Sequence, residues 1–183
     1  MEKRCNQLPD CRDKSDERHC KILVLEEGYN KKVPPIQSNA PVNVSVSINL
    51  LKLVDIDEDD YSIEIQFEIT MMWRENRVIY HNLKDRDSLN ALSEEDYEKL
   101  WLPEVIYENT DQKESTRLGT AWEWKTRVIV KREGNLTRSG LETVDETEIF
   151  RGNENRLVMS QVYTHTFQCP YELAAYPFDT QVH

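Results

Sequence analysis

Carboxylates and cysteines are the residues in this chain whose types and spacing could do chemistry. Asp55, Asp57, Glu58, Asp59 and Asp60 place five carboxyl groups in six residues. Oxygen donors at that density suit a hard divalent cation, and the plainer alternative is a solvated acidic turn. Cys5, Cys11 and Cys20 crowd the N-terminus among further carboxylates, and Cys169 stands far away near the other end. The C-x5-C-x8-C spacing is not a usual zinc pattern, and an odd local count implies absent partners. Four histidines and a distant cysteine, with no G-x-S-x-G or H-E-x-x-H, provide no catalytic constellation. His165 reads as a satisfied strand residue rather than a base. We therefore expect a protein that is not an enzyme.

The bulk numbers agree. At 38% hydrophobic and 31% charged residues, the 183-residue chain is globular on the polar side. A net charge of −11 argues against nucleic acid, which needs Lys and Arg in excess on one face. Met1 to Asp10 is polar, so no secretory leader is visible. No stretch approaches the ~20 apolar residues of a membrane helix. That leaves either a soluble protein or a fragment whose leader and membrane part lie elsewhere.

The elements that must position these residues read mostly as strands. Residues 1–20 are polar and Cys-rich, residues 21–39 read as a linker with a helix or loop, and residues 40–183 as a β domain. Val42, Val44, Val46, Ile48 and Leu50 alternate with polar residues, then slip to Leu51 and Leu53 as at a bulge. Tyr61, Ile63, Ile65, Phe67, Ile69, Met71 and Trp73 occupy every second position, which suits a strand with one side on a core. Trp73 and Trp101 read as packing residues. Ser93 and Asp96 resemble a capping box opening a short helix through Leu100. Thr126 to Lys131 and Leu136 to Ser139 flank Glu133-Gly134-Asn135 and predict a hairpin. Residues 141–155 read as a loop and Leu157 to Phe167 as a strand. Asn43 and Asn135 begin N-x-S/T sequons. Many short strands with little helix predict an all-β, immunoglobulin-like antiparallel sandwich, incomplete in this chain, with one short helix and a small Cys-rich N-terminal segment.

Residues 169–182, C-P-Y-E-L-A-A-Y-P-F-D-T-Q-V, resemble the signature loop of the Cys-loop receptors, the pentameric ligand-gated ion channels. Cys169, Pro170, Glu172, Leu173, Tyr176, Pro177, Phe178, Asp179 and Gln181 match, while His183 stands where the closing Cys would be. Trp73-Arg74-Glu75 with Arg77-Val78 is similar to the family's W-x-D/E-x-R-L stretch, and Trp101-Leu102-Pro103-Glu104 to its W-x-P-D. The resemblance covers residues 21–183 and stops before the family's later strands and membrane helices. It implies the extracellular ligand-sensing part of one subunit of a pentameric channel. Its partners would be other subunits, a small-molecule agonist, and the membrane through parts absent here. The signature loop looks closer to the anion-channel branch. The alternatives are a soluble pentameric ligand-binding protein without a pore and a secreted adhesion or scaffold protein.

The resemblance also implies residue roles. Glu68 and Thr70 would face the ligand from the complementary side, with Ser160 beside Val158. Ile106 and Glu108 would face it from the principal side. Glu68 and Glu108 depart from the aromatics many members use to hold an ammonium. Asp57 and the loop residues Tyr176, Pro177, Phe178 and Asp179 would couple binding to the gate. Residues 5–20 are in turn similar to the last half of an LDL-receptor class A module. That likeness implies a Cys5–Cys20 disulfide and calcium held by Asn6, Asp10, Asp16 and Glu17.

Overall fold

The computed structural model describes residues 11–12, 21–36, 40–110, 127–138 and 148–169. Eight strands account for nearly all of its regular structure: β1 Leu23–Leu25, β2 Ser45–Asp57, β3 Ser62–Arg74, β4 Val78–His81, β5 Arg127–Lys131, β6 Thr137–Arg138, β7 Glu148–Arg151 and β8 Arg156–Gln168. A single helical turn, α1 Glu94–Tyr97, and a 3-10 turn at Asp87–Leu89 interrupt them. The strands form two antiparallel sheets, ordered β1-β4-β7-β6 and β2-β3-β8-β5, so the fold is an all-β sandwich.

The chain divides into two compact units. One comprises Met1–Ser45, Met71–Leu102 and Arg127–Met159; the other comprises Val46–Thr70, Pro103–Thr126 and Ser160–His183. In the first unit the sandwich core is plain. Leu23, Val78, Tyr80 and Phe150 come from one sheet, and Met71, Trp73, Val128, Val130, Leu157 and Met159 from the other, all almost wholly buried. Each such side chain contributes roughly 1.5–3 kcal/mol on leaving water. Trp73 meets Trp101 edge-on, ring centres 6.3 Å apart at 86°.

The capping box is present: Ser93 Oγ accepts from the Asp96 amide at 3.2 Å and so satisfies one of the first-turn donors. Alternation is likewise observed along β8 and along β3 from Phe67 onward, whereas Ile63 and Ile65, expected inward, are only partly buried. Phe67, Ile69, Met71 and Trp73 on β3, and Leu157, Met159, Gln161, Tyr163 and His165 on β8, are buried. Tyr61, expected on the same side, lies outside β3 with φ 51° and is half-exposed.

Four expectations fail. The segment read as a linker contains β1, which pairs with β4 through Leu23↔Tyr80 and Leu25↔Val78. The segment read as a loop contains β7, paired with β4 and β6. Both strands are too short for periodicity to reveal them. The predicted hairpin is also absent, because β5 and β6 belong to different sheets. Glu133-Gly134 does turn, but its amides both donate to Asn155 Oδ1 at 3.0 Å. A side chain beginning β8's approach, rather than a partner strand, holds the turn. Gly134 is required there, since a Cβ would sit 2.5 Å from that of Glu154. Finally, β2 runs unbroken from Ser45 to Asp57 with neither face covered, Ile48 and Leu50 each 64% exposed. Among the described residues it is the edge strand of its sheet, paired with β3 alone.

Candidate functional site

The expected complementary-side residues lie on one face of two neighbouring strands. Because Phe67, Ile69 and Met71 turn inward, Gln66, Glu68 and Thr70 turn outward and are half-exposed. On β8 the same logic turns Ser160, Val162 and Thr164 outward. Thr70 Oγ1 and Ser160 Oγ lie 3.0 Å apart in a hydrogen bond, and Gln66 Nε2 donates to Thr164 Oγ1 at 3.3 Å. In an antiparallel ladder that pairs 70 with 160 and 66 with 164, residue 68 faces 162. Glu68 therefore sits opposite Val162, bracketed by two neutral hydrogen-bonded pairs. Its carboxylate has no hydrogen bond or ion pair among the described residues. Val158 is half-exposed on the same outward face as Ser160.

The expected principal-side residues are placed by a side chain that sequence reasoning missed. Tyr107 packs edge-on against Phe67 (5.7 Å, 81°) and Phe167 (5.7 Å, 88°), with the His165 ring 5.0 Å away. The Gln168 amide donates to the Asn109 carbonyl at 2.8 Å, and Thr110 bridges to Phe167. With Tyr107 anchored inward, its neighbours Ile106 and Glu108 are left exposed, Ile106 at 62%. The alternation of Val105 and Tyr107 with Glu104, Ile106 and Glu108 was the available signal, but Pro103 and the shortness of the segment hid it. His165 is buried within this aromatic cluster, as expected of a packed strand residue.

The acidic turn does not gather its carboxylates into one ligand set. Among the described residues no group of three His, Cys, Asp or Glu converges as metal ligands. Asp57 Oδ1 instead accepts from the amides of Asp59 and Asp60, both at 3.0 Å. One carboxylate thus closes the turn and its neighbours point to solvent. Tyr176, Pro177, Phe178 and Asp179, and the N-terminal set Cys5, Asn6, Asp10, Asp16, Glu17 and Cys20, lie outside the described residues. Among the described residues Cys11 and Cys169 form no disulfide, and the Cys169 amide donates to the Tyr61 carbonyl at 2.7 Å. Both sequon residues, Asn43 and Asn135, are exposed outside regular strands.

The W-x-E-x-R stretch closes around a buried charge. Glu75, fully buried, accepts two hydrogen bonds from the Arg77 guanidinium at 2.6 and 2.7 Å and one from the Tyr29 hydroxyl at 3.1 Å. The Arg77 guanidinium also lies over the Tyr29 ring, 4.6 Å from its centre. Tyr29 Oη accepts from the Trp101 amide at 2.8 Å, and burial is the main cause pushing its pKa up to about 12.

Compared with known proteins, residues 19–182 match the profile of the neurotransmitter-gated ion-channel ligand binding domain. This chain belongs to that family. The ligand-binding domain is 30% identical over 99 residues to acetylcholine receptor subunit delta of Gallus gallus, covering 52% of this chain and 18% of that protein. It is 25% identical over 161 residues to acetylcholine receptor subunit alpha-type des-2 of Caenorhabditis elegans, covering 86% of this chain and 25% of that one. A second Caenorhabditis elegans subunit, alpha-type acr-5, is 22% identical over 91% of this chain and 25% of its own length. The domain thus spans about a quarter or less of the length of the curated relatives it matches. No helix among its described residues is long and apolar enough to cross a membrane.

Proposed function

We propose that this domain is the extracellular agonist sensor of one subunit of a pentameric ligand-gated ion channel, facing outward from the plasma membrane. The observation that carries the reading is the family match over residues 19–182. The relatives' names add support, since each is a subunit of an acetylcholine receptor. They do not support the expected lean toward the anion-channel branch, and ion selectivity forms no part of the proposal.

In this reading a small agonist binds between neighbouring subunits. Glu68, Thr70 and Ser160 contribute from one subunit, and Ile106 and Glu108 from the next. Binding shifts the population of sandwich arrangements, and the turn at Asp57 with Tyr176, Pro177, Phe178 and Asp179 passes the shift to the pore. The Tyr107 anchor supports this assignment, because a rigid aromatic footing holds the exposed Ile106 and Glu108 in a defined place. Calcium held near Asn6, Asp10, Asp16 and Glu17, with a Cys5–Cys20 disulfide, is a separate proposal for the N-terminal segment.

The test is expression of the complete subunit in oocytes with voltage-clamp recording. Agonist-evoked current that shifts in dose dependence with Ile106→Ala and Glu108→Gln is the expected result. A surface-exposed pentamer that binds small molecules without any conductance would instead identify a pore-less binder and end the channel reading.

A further inference from the structure

On the inward face of β8, His165 is 8% exposed and stands inside a cluster of rings. Its ring centre lies 5.0 Å from that of Tyr107, 5.5 Å from Tyr163, 5.8 Å from Phe67 and 6.4 Å from Phe167. All five rings belong to one compact unit. The ladder that pairs 66 with 164 and 70 with 160 also sets 65 opposite 165 and 67 opposite 163. Strands β3 and β8 thus supply one side of the cluster, and the segment around Tyr107 closes over it.

Imidazole is the one group in this set whose charge changes near neutral pH. The phenols of Tyr107 and Tyr163, which touch it, stay neutral throughout that range. The carboxylates of the elements packed against it alternate with the inward residues. Glu64 and Glu68 on β3 are half-exposed, and Glu104 and Glu108 beside Tyr107 are exposed. On β8 itself the other charged residue is Arg156, at the far end of the strand.

A neutral imidazole packs among these rings as one more flat ring. A proton turns it into a cation in a place that water barely reaches. Ring faces offset part of that cost, whereas solvent offsets it fully once the cluster opens. Opening has a defined route. Tyr107 is the nearest ring, and its segment is fastened to β8 just beyond His165, by the Gln168 amide on the Asn109 carbonyl at 2.8 Å and by the bridge from Thr110 to Phe167. An imidazolium turning toward water displaces Tyr107, and Ile106 and Glu108 move with it.

We propose that His165 is a proton-sensitive latch, which holds the Tyr107 segment on β8 when neutral and releases it when protonated. The closed cluster favours the neutral form and the open one takes up the proton. Closure is therefore complete above the ordinary histidine range and weakens as pH falls through it. The effect on agonist binding through Ile106 and Glu108 rests on the channel reading above, whereas the latch itself does not.

Hydrogen exchange of the complete protein tests this, read at the peptide that carries the Gln168 amide. Rates are divided by the intrinsic chemical rate at each pH, so that they report opening alone. From about pH 7.5 to about pH 5.5 opening should increase several-fold, with a ceiling of about tenfold for a histidine that titrates normally only when open. His165→Phe keeps a ring and cannot titrate, so its protection should be the same at both pH values. His165→Leu serves the same purpose if His165→Phe does not fold. Parent protection that is unchanged or greater in acid, or an equal loss in the non-titrating variant, would overturn the proposal. The measurement uses no agonist, so a failed latch leaves the channel reading standing, and a protein without conductance leaves the latch result as it was read.

Discussion

The Arg77 guanidinium grips the buried Glu75 carboxylate side-on, Nη2 2.6 Å from Oε2 and Nε 2.7 Å from Oε1. A carboxylate fully out of water is tolerable only with such pairing, and Tyr29 adds a third donor. Arg77→Ala should destabilise the domain by about 3–5 kcal/mol, because it strands the charge. Arg77→Lys should recover part of this, since an ammonium cannot reproduce the two-pronged contact. Thermal unfolding of the solubilised receptor measures both, and equal melting of Arg77→Ala and the parent would contradict the account.

Asn90 should be nearly as sensitive. It is buried, accepts from the Lys84 amide at 2.7 Å, and donates to the carbonyls of Lys84 at 2.9 Å and Val130 at 3.2 Å. Asn90→Ala leaves these groups unpaired at about 1–3 kcal/mol. Asn90→Asp should be worse, because it loses both donors and adds a buried charge. Surface yield ranked parent, Ala, Asp is the expected order.

Acid should loosen the turn that begins the crossing from β5 to β6. The Arg156 guanidinium beside Glu133, aided by Lys131, holds the Glu133 carboxyl below its ordinary value. A depressed carboxylate stabilises the fold above its unfolded pKa, and the contribution is lost as pH falls through the folded value. Both partners are largely exposed, so the effect is about 0–1 kcal/mol. Arg156→Ala should therefore lower the melting temperature slightly near neutral pH. The difference from the parent should vanish under acid conditions, where Glu133 is protonated in both proteins.

Glycosylation should favour Asn135 over Asn43. Both are exposed, but Asn135 occupies a turn while Asn43 lies two residues before β2. Glycopeptide mapping after secretory expression gives the occupancies, and Asn43 occupied with Asn135 bare would reverse the expectation.

Much of this protein was legible in the sequence. Strict alternation determined β3 and the inward set from Phe67 to Trp73, because a period of two can be satisfied by one face of a strand. The same argument located β8 and hence the outward row of Glu68, Thr70 and Ser160. Ser93 and Asp96 announced α1 because a first helical turn needs a side-chain acceptor for its amides. The motifs around Trp73 and Trp101 pointed to the family without any coordinates. What tertiary structure alone decided were relations between distant positions. Strands of three and four residues, β1 and β7, carry too little periodicity and exist because β4 lies between them to pair with both. Glu133-Gly134-Asn135 turns as its residues suggest, but the partner is Asn155, so the chain leaves one sheet for the other instead of folding back. The acidic turn showed its charge count but not the direction of its side chains, and Asp57 spends its oxygen on backbone amides. Local sequence fixes dihedral preference and facing, whereas which strand pairs with which depends on packing that no short window contains.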